Sequence, residues 1–161
     1  MPVLRSMFAD LGHQDVASYV QSGNIVFGSP RSAPNKLASD IERAISKTFG
    51  MTVSVLLRTR DDLEGVIARN PFITKGAEFA SLHVMFLAKP PAPTAIEKLD
   101  PDRSPPDDFE LKGREIYLRY PNGSGRSKLT IDYFERILGT PATARNWNTI
   151  TKVLKLMQER R

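Results

Sequence analysis

Residues 82–87 read Leu-His-Val-Met-Phe-Leu. Side chains on a strand alternate between two faces, and here both faces are apolar apart from His83. Such a run belongs at the centre of a sheet that is covered on both sides. The rest of the chain must therefore supply neighbouring strands and covering helices.

The flanking sequence offers both. Residues 2–11 predict a helix: Val3, Leu4, Met7, Phe8 and Leu11 share one face, Pro2 suits the first turn and Gly12 the stop. Ala17–Val20 and Ile25–Phe27 predict a hairpin bent at Ser22-Gly23-Asn24. A second helix is expected over 34–49, with a stripe of Leu37, Ile41, Ala44, Ile45 and Phe49. Residues 52–58 are β-branched and apolar and read as a strand. Asp61 and Glu64 are spaced like a capping box for a short helix that ends at Asn70-Pro71, with Phe72 placed in the core.

After the central strand, a stiff Pro-rich turn leads to a short helix near 94–99. Phe109–Leu111 and Glu115–Tyr120 pair across Lys112-Gly113. A helix is expected at 126–138 and another at 146–159, with a short extended piece at 142–145 between them.

This order predicts an α+β fold. Two packed ferredoxin-like halves of the βαββαβ type are expected, residues 1–70 and 71–161, with a C-terminal helix, and the two together can equally be treated as one domain. The first half lacks its opening strand, which would be central. Its neighbours would then expose unpaired backbone groups. Three arrangements meet that deficit: a start further upstream, a strand donated by another chain, or a looser, edge-exposed layer. The first is favoured; the open edge would also permit a homodimer.

Charge is unevenly distributed. Residues 110–161 hold 11 Lys and Arg against 5 Asp and Glu, a net of +6, whereas residues 1–109 hold 12 against 13, a net of −1. The basic last third points to an anionic partner, a nucleic acid or a phosphorylated small molecule. With no Cys, disulfides, thiolate nucleophiles and Cys-zinc sites are excluded. No run approaches the roughly 20 apolar residues that cross a bilayer, and the N-terminus lacks a signal peptide's apolar stretch. No membrane partner and a cytoplasmic location are expected.

Three polar bends are candidates for a ligand site. In Pro121-Asn122-Gly123-Ser124-Gly125-Arg126-Ser127-Lys128, Gly123 and Gly125 let backbone N–H groups turn one way. The expected helix start adds its positive end, Arg126 and Lys128 add cations, and Ser127 adds a hydroxyl. It is not a Walker A loop, because the four-residue gap between glycines is missing. The same residues also make an ordinary turn, with Ser124 or Ser127 as the helix cap. Around Trp147, Thr143, Arg145, Asn146 and Asn148 are polar; the two Asn residues equally suit capping of the last helix. In Gln21-Ser22-Gly23-Asn24 the turn needs only Gly and Asn, leaving Gln21 and Ser22 without a structural reason. His13 and His83 read as structural, and no metal-ligand spacing or Gly-x-Ser-x-Gly elbow occurs. Neither a cofactor nor a catalytic residue is indicated.

Tyr19–Phe27, Asn70-Pro71-Phe72, Gly125–Leu129 and Leu138–Thr149 together resemble the bacterial family called domain of unknown function 1697. The resemblance implies an α+β fold with ferredoxin-like halves and no established activity. Members of that family open with a strand and a glycine loop ahead of the helix matching residues 2–11. In this sequence Met1 falls at the approach to that helix, in line with the missing strand.

Three functional readings follow. A binding module for an anionic ligand is favoured; for stacking on bases, only Tyr117 and Tyr19 are candidate strand aromatics. The second is an enzyme that clamps a small anionic substrate with Arg126, Lys128 and Arg145; it lacks an evident general base. The third is a structural or assembly protein.

Overall fold

The computed structural model of the chain describes residues 2–19, 24–28 and 34–159. The chain divides into two compact units. One comprises residues 1–63 and 151–161, the other residues 64–150. The sequence reading divides the chain at residue 70 instead.

The first unit contains α1 (Pro2–Asp10), a hairpin of β1 (Gln14–Tyr19) and β2 (Asn24–Gly28), and α2 (Pro34–Phe49). Its core gathers Met7, Phe8 and Ile41, against which Ile25, Phe27, Leu37, Ile45, Val55 and Leu57 pack. The helical stripes are narrower than the sequence predicts, since Val3, Leu11 and Phe49 stand in solvent. The hairpin pairs from Tyr19↔Asn24 to Gln14↔Gly28 with a register shift near its open end.

Residues 52–58, expected as a strand, form none among the described residues. The Val55 N–H donates to the Glu42 carboxylate at 2.7 Å, while Val55 and Leu57 pack on the core. Apolar composition is satisfied by that packing, but a strand also needs a backbone partner, and here a side chain takes the N–H. The unit thus has a two-stranded sheet among its described residues rather than three strands.

The capping box also shifts. α3 (Arg60–Ala68) is opened by Thr59, whose hydroxyl accepts from the Asp62 N–H at 3.0 Å while its own N–H donates to the Asp62 carboxylate at 2.9 Å. The reciprocal pair is therefore Thr59 and Asp62, not Asp61 and Glu64.

The second unit is built around the strand read first from the sequence. After α4 (Pro71–Thr74) and a 3-10 turn at Phe79–Ser81 come β3 (Leu82–Leu87), α5 (Pro93–Ile96), β4 (Asp108–Lys112), β5 (Glu115–Arg119), α6 (Ile131–Leu138) and β6 (Ala142–Asn146). α7 (Trp147–Gln158) begins in this unit. The four strands form an antiparallel sheet in the order β4-β5-β3-β6. The short piece expected at 142–145 is thus a full edge strand. It pairs with β3 from His83↔Asn146 to Leu87↔Ala142.

Both faces of β3 are buried. Met85 and Leu87 join Ile116, Leu118, Tyr133, Phe134 and Leu138 in one cluster, so α6 covers that face. On the opposite face Leu82 and Val84 are fully buried, and Tyr117 lies opposite Val84. The Tyr117 hydroxyl donates to the Val66 carbonyl at 2.8 Å, fastening α3 over β5. Burial, then the nearby Glu115 charge, pushes its pKa up to about 12, so it stays a donor at neutral pH. Tyr117 is thus core and cannot be an exposed stacking residue.

Asn70 caps α4 by accepting from the Phe72 N–H at 2.9 Å, and Phe72 is buried as expected. α6 ends at Gly139 (φ 68°, ψ 30°), a left-handed position that favours glycine, and its N–H donates to the Glu135 carbonyl at 2.9 Å. Replacing Tyr117 by Phe should leave the Val66 carbonyl unpaired in the core and cost about 1–3 kcal/mol in urea unfolding. An unchanged midpoint would show that this bond does not hold α3 to the sheet.

Candidate anion-binding loop

Antiparallel pairing makes β3 begin where β5 ends, with Leu82 opposite Arg119. Just beyond, the Tyr120 N–H donates to the Ser81 carbonyl at 2.8 Å. The Tyr120 ring meets His83 edge-on at 4.9 Å, and its hydroxyl donates to the Leu129 carbonyl at 2.8 Å. One buried tyrosine therefore closes the segment between residues 120 and 129 onto the sheet. Burial, with a smaller contribution from Asp107, pushes its pKa up to about 12.

Within that segment the sequence reading needs correction. The helix starts at Ile131 and not at 126, and its cap is Thr130, whose hydroxyl accepts from the Tyr133 N–H at 3.2 Å. Neither Ser124 nor Ser127 caps it. The Leu129 N–H goes to the Ser127 hydroxyl at 3.0 Å, and the Lys128 N–H goes to the Ser104 hydroxyl at 3.0 Å. These bonds hold the chain away from helical geometry until Thr130. Gly123, at φ 84°, donates to the Tyr120 carbonyl at 3.0 Å, and the Ser127 N–H to the Ser124 carbonyl at 3.2 Å. Four N–H groups are thus committed inside the loop or to its neighbour. The helix's positive end lies beyond it.

What the loop offers instead is side-chain charge. Arg126 and Lys128 are exposed, and among the described residues neither pairs with a carboxylate. Arg103, which the sequence reading missed, donates from Nε to the Lys128 carbonyl at 2.9 Å. Its guanidinium lies over the Tyr133 ring, 3.9 Å from the centroid. Ser104, also missed, accepts from Lys128 and donates to the Asp107 carboxylate at 2.9 Å. No spacing rule links residues 103–104 to residue 128; only the fold brings them together. Three acids of that stretch, Asp100, Asp107 and Asp108, have local partners. Asp100 accepts from the Asp102 N–H at 2.9 Å, and Asp108 bridges to Arg119 at 2.6 Å.

The other expected site residues are placed differently. On β6, Ala142 and Ala144 face the α6 cluster, so Thr143 and Arg145 point to the opposite side, that of Val84 and Phe86. Arg145 is half-buried and donates to the Thr143 hydroxyl at 2.6 Å and the Ala144 carbonyl at 2.8 Å. Burial lowers its pKa. Asn146 caps α7, accepting from the Thr149 N–H at 2.8 Å, which explains its presence without a ligand. Asn148 lies in the first turn of α7. Asn24 opens β2 in the first unit. Gln21 and Ser22, with Gly23, lie outside the described residues, as does the Tyr19 side chain.

Among the described residues no group of three or more His, Asp or Glu could hold a metal ion. No described helix is long and apolar enough to cross a membrane.

The sheet and its helices define an α+β protein. Residues 1–117 match the family described as protein of unknown function, DUF1697, and the chain belongs to that family. Its fold is similar to that of a solved structure, the conserved bacterial protein SP0830 from Streptococcus pneumoniae. The TM-score is 0.73 at 20% identity, over 98% of this chain and 88% of that one. No curated protein matches the sequence.

The two histidines carry a pH consequence. His13, packed against Phe8 and Phe27, and His83, against Tyr120, each have a buried Nδ1 without a hydrogen-bond partner. Burial lowers both pKa values from 6.5; for His83 a smaller effect of the Ser81 backbone opposes it. The unfolded chain then binds protons that the folded chain refuses, so their contribution is complete above about pH 6.5 and is lost as pH falls below it. Melting temperature should drop between about pH 7 and pH 5. His83→Phe, which keeps a ring against Tyr120, should flatten that drop; an equal slope in the variant would remove His83 as its source.

Proposed function

We propose that this chain binds a phosphate-bearing anion through the Arg126–Lys128 stretch, in a second unit of ferredoxin-like type. The observation that carries the reading is the pair of exposed cations without carboxylate partners among the described residues. Both stand on a loop whose backbone is fastened by Tyr120, Ser104 and Arg103. A fixed backbone lowers the ordering cost of binding. The +6 balance of residues 110–161 adds long-range attraction for the same partner. The element order β3-α5-β4-β5-α6-β6 and the strand order β4-β5-β3-β6 support the ferredoxin-like description.

Fluorescence anisotropy with labelled RNA and DNA, and competition by inorganic polyphosphate, tests the reading. Binding is expected at about 50 mM salt and should weaken steeply as salt rises. Arg126→Ala with Lys128→Ala should lower the slope of log affinity against log salt by about 2. Failure of the wild-type protein to retain any phosphate polymer at low salt, or an unchanged slope in the double variant, overturns it.

A further inference from the structure

We infer that the phosphate-bearing partner is a single-stranded nucleic acid, with Phe79 as the surface on which a base stacks. This rests on the phosphate reading of the Arg126–Lys128 stretch. Phe79 is 62% exposed, whereas Phe72, Phe86, Tyr117, Tyr120, Phe134 and Trp147 in the same unit are each at most 6% exposed. It is held out on a short 3-10 turn. There the Ser81 N–H and hydroxyl both donate to the Glu78 carbonyl, at 3.0 and 2.7 Å.

The position matters more than the exposure, since single apolar residues on a surface are common. Ser81 accepts from the Tyr120 N–H, so the turn carrying Phe79 and the loop carrying Arg126 and Lys128 leave the sheet from the same end of the β3–β5 pair. An aromatic platform at the same sheet end as cations on a fixed loop is a combination suited to unpaired strands: bases stack on the ring while phosphates meet the cations. A duplex keeps its bases stacked within itself and cannot use the ring, so it would engage the cations alone.

The test compares oligouridylate, the same length of duplex and inorganic polyphosphate on wild-type protein, Phe79→Ala, Phe79→Trp, and the Arg126→Ala/Lys128→Ala double variant. Melting curves of both Phe79 variants should match wild type, because the side chain stands in solvent. Phe79→Ala should lose about tenfold in affinity for oligouridylate and nothing for polyphosphate. Phe79→Trp should show emission quenched by oligouridylate and not by polyphosphate. If Phe79→Ala binds oligouridylate like wild type while the double variant is impaired, the stacking inference falls and the phosphate reading stands. If no phosphate polymer binds, or the double variant is unimpaired, the underlying reading falls and takes the inference with it.

Discussion

The burial of β3 on both faces is the constraint from which the second unit follows. A strand with Leu82, Val84, Met85 and Leu87 all withdrawn from water must have backbone partners on both edges and apolar cover above and below. β5 and β6 meet the first need. The second is met by α6 on one face and, on the other, by α3 through the Tyr117–Val66 bond. Once β3 and β5 are paired, the position of Tyr120 is set, and with it the origin of the loop. The placement of Arg126 and Lys128 is therefore a consequence of core packing several residues away.

The second unit separates its cations by what surrounds them. Arg119 is spent on Asp108, and half-buried Arg145 is directed to the Thr143 hydroxyl and its own strand's backbone. Arg103 lies between these limits, fixed by a ring and a carbonyl. Arg126 and Lys128 are exposed, and among the described residues neither side chain pairs with a carboxylate. Exposed ion pairs contribute little to stability, so leaving these two unpaired costs the fold almost nothing. That makes them free to serve a partner without a stability penalty.

Most of this architecture is legible in the sequence where local and tertiary demands agree. The run 82–87, the hairpin across Lys112-Gly113 and the burial of Phe72 are of this kind. The failures have a common cause. Residues 52–58 have strand composition, yet a ladder depends on a partner that composition cannot report. Likewise, Ser124 and Ser127 both suit a cap by residue type, yet α6 begins only after Thr130, because Ser104, 24 residues away, takes the Lys128 N–H. Ser104 and Arg103 carry no motif, so long-range bonding of that sort leaves no trace in spacing. Phe79 is hidden for a different reason: an aromatic residue three positions before a buried strand is ordinarily core.

For the proposed anion binding, the shift of the α6 start changes the physics. A glycine loop running into a helix would hold an anion with fixed N–H dipoles, which are directional and specify geometry. In this chain the N–H groups of Gly123, Ser127, Lys128 and Leu129 are already bonded, and Thr130 closes the helix end. What remains is attraction by two side-chain cations in high-dielectric surroundings, a force that is long-ranged at low salt, readily screened and indifferent to the shape of a single phosphate. Such a surface suits a partner that presents many phosphates in a row better than a small molecule that must be gripped at one. Under that proposal, discrimination among polymers has to come from something other than charge, and the exposed Phe79 ring at the same sheet end would supply a chemically distinct contact.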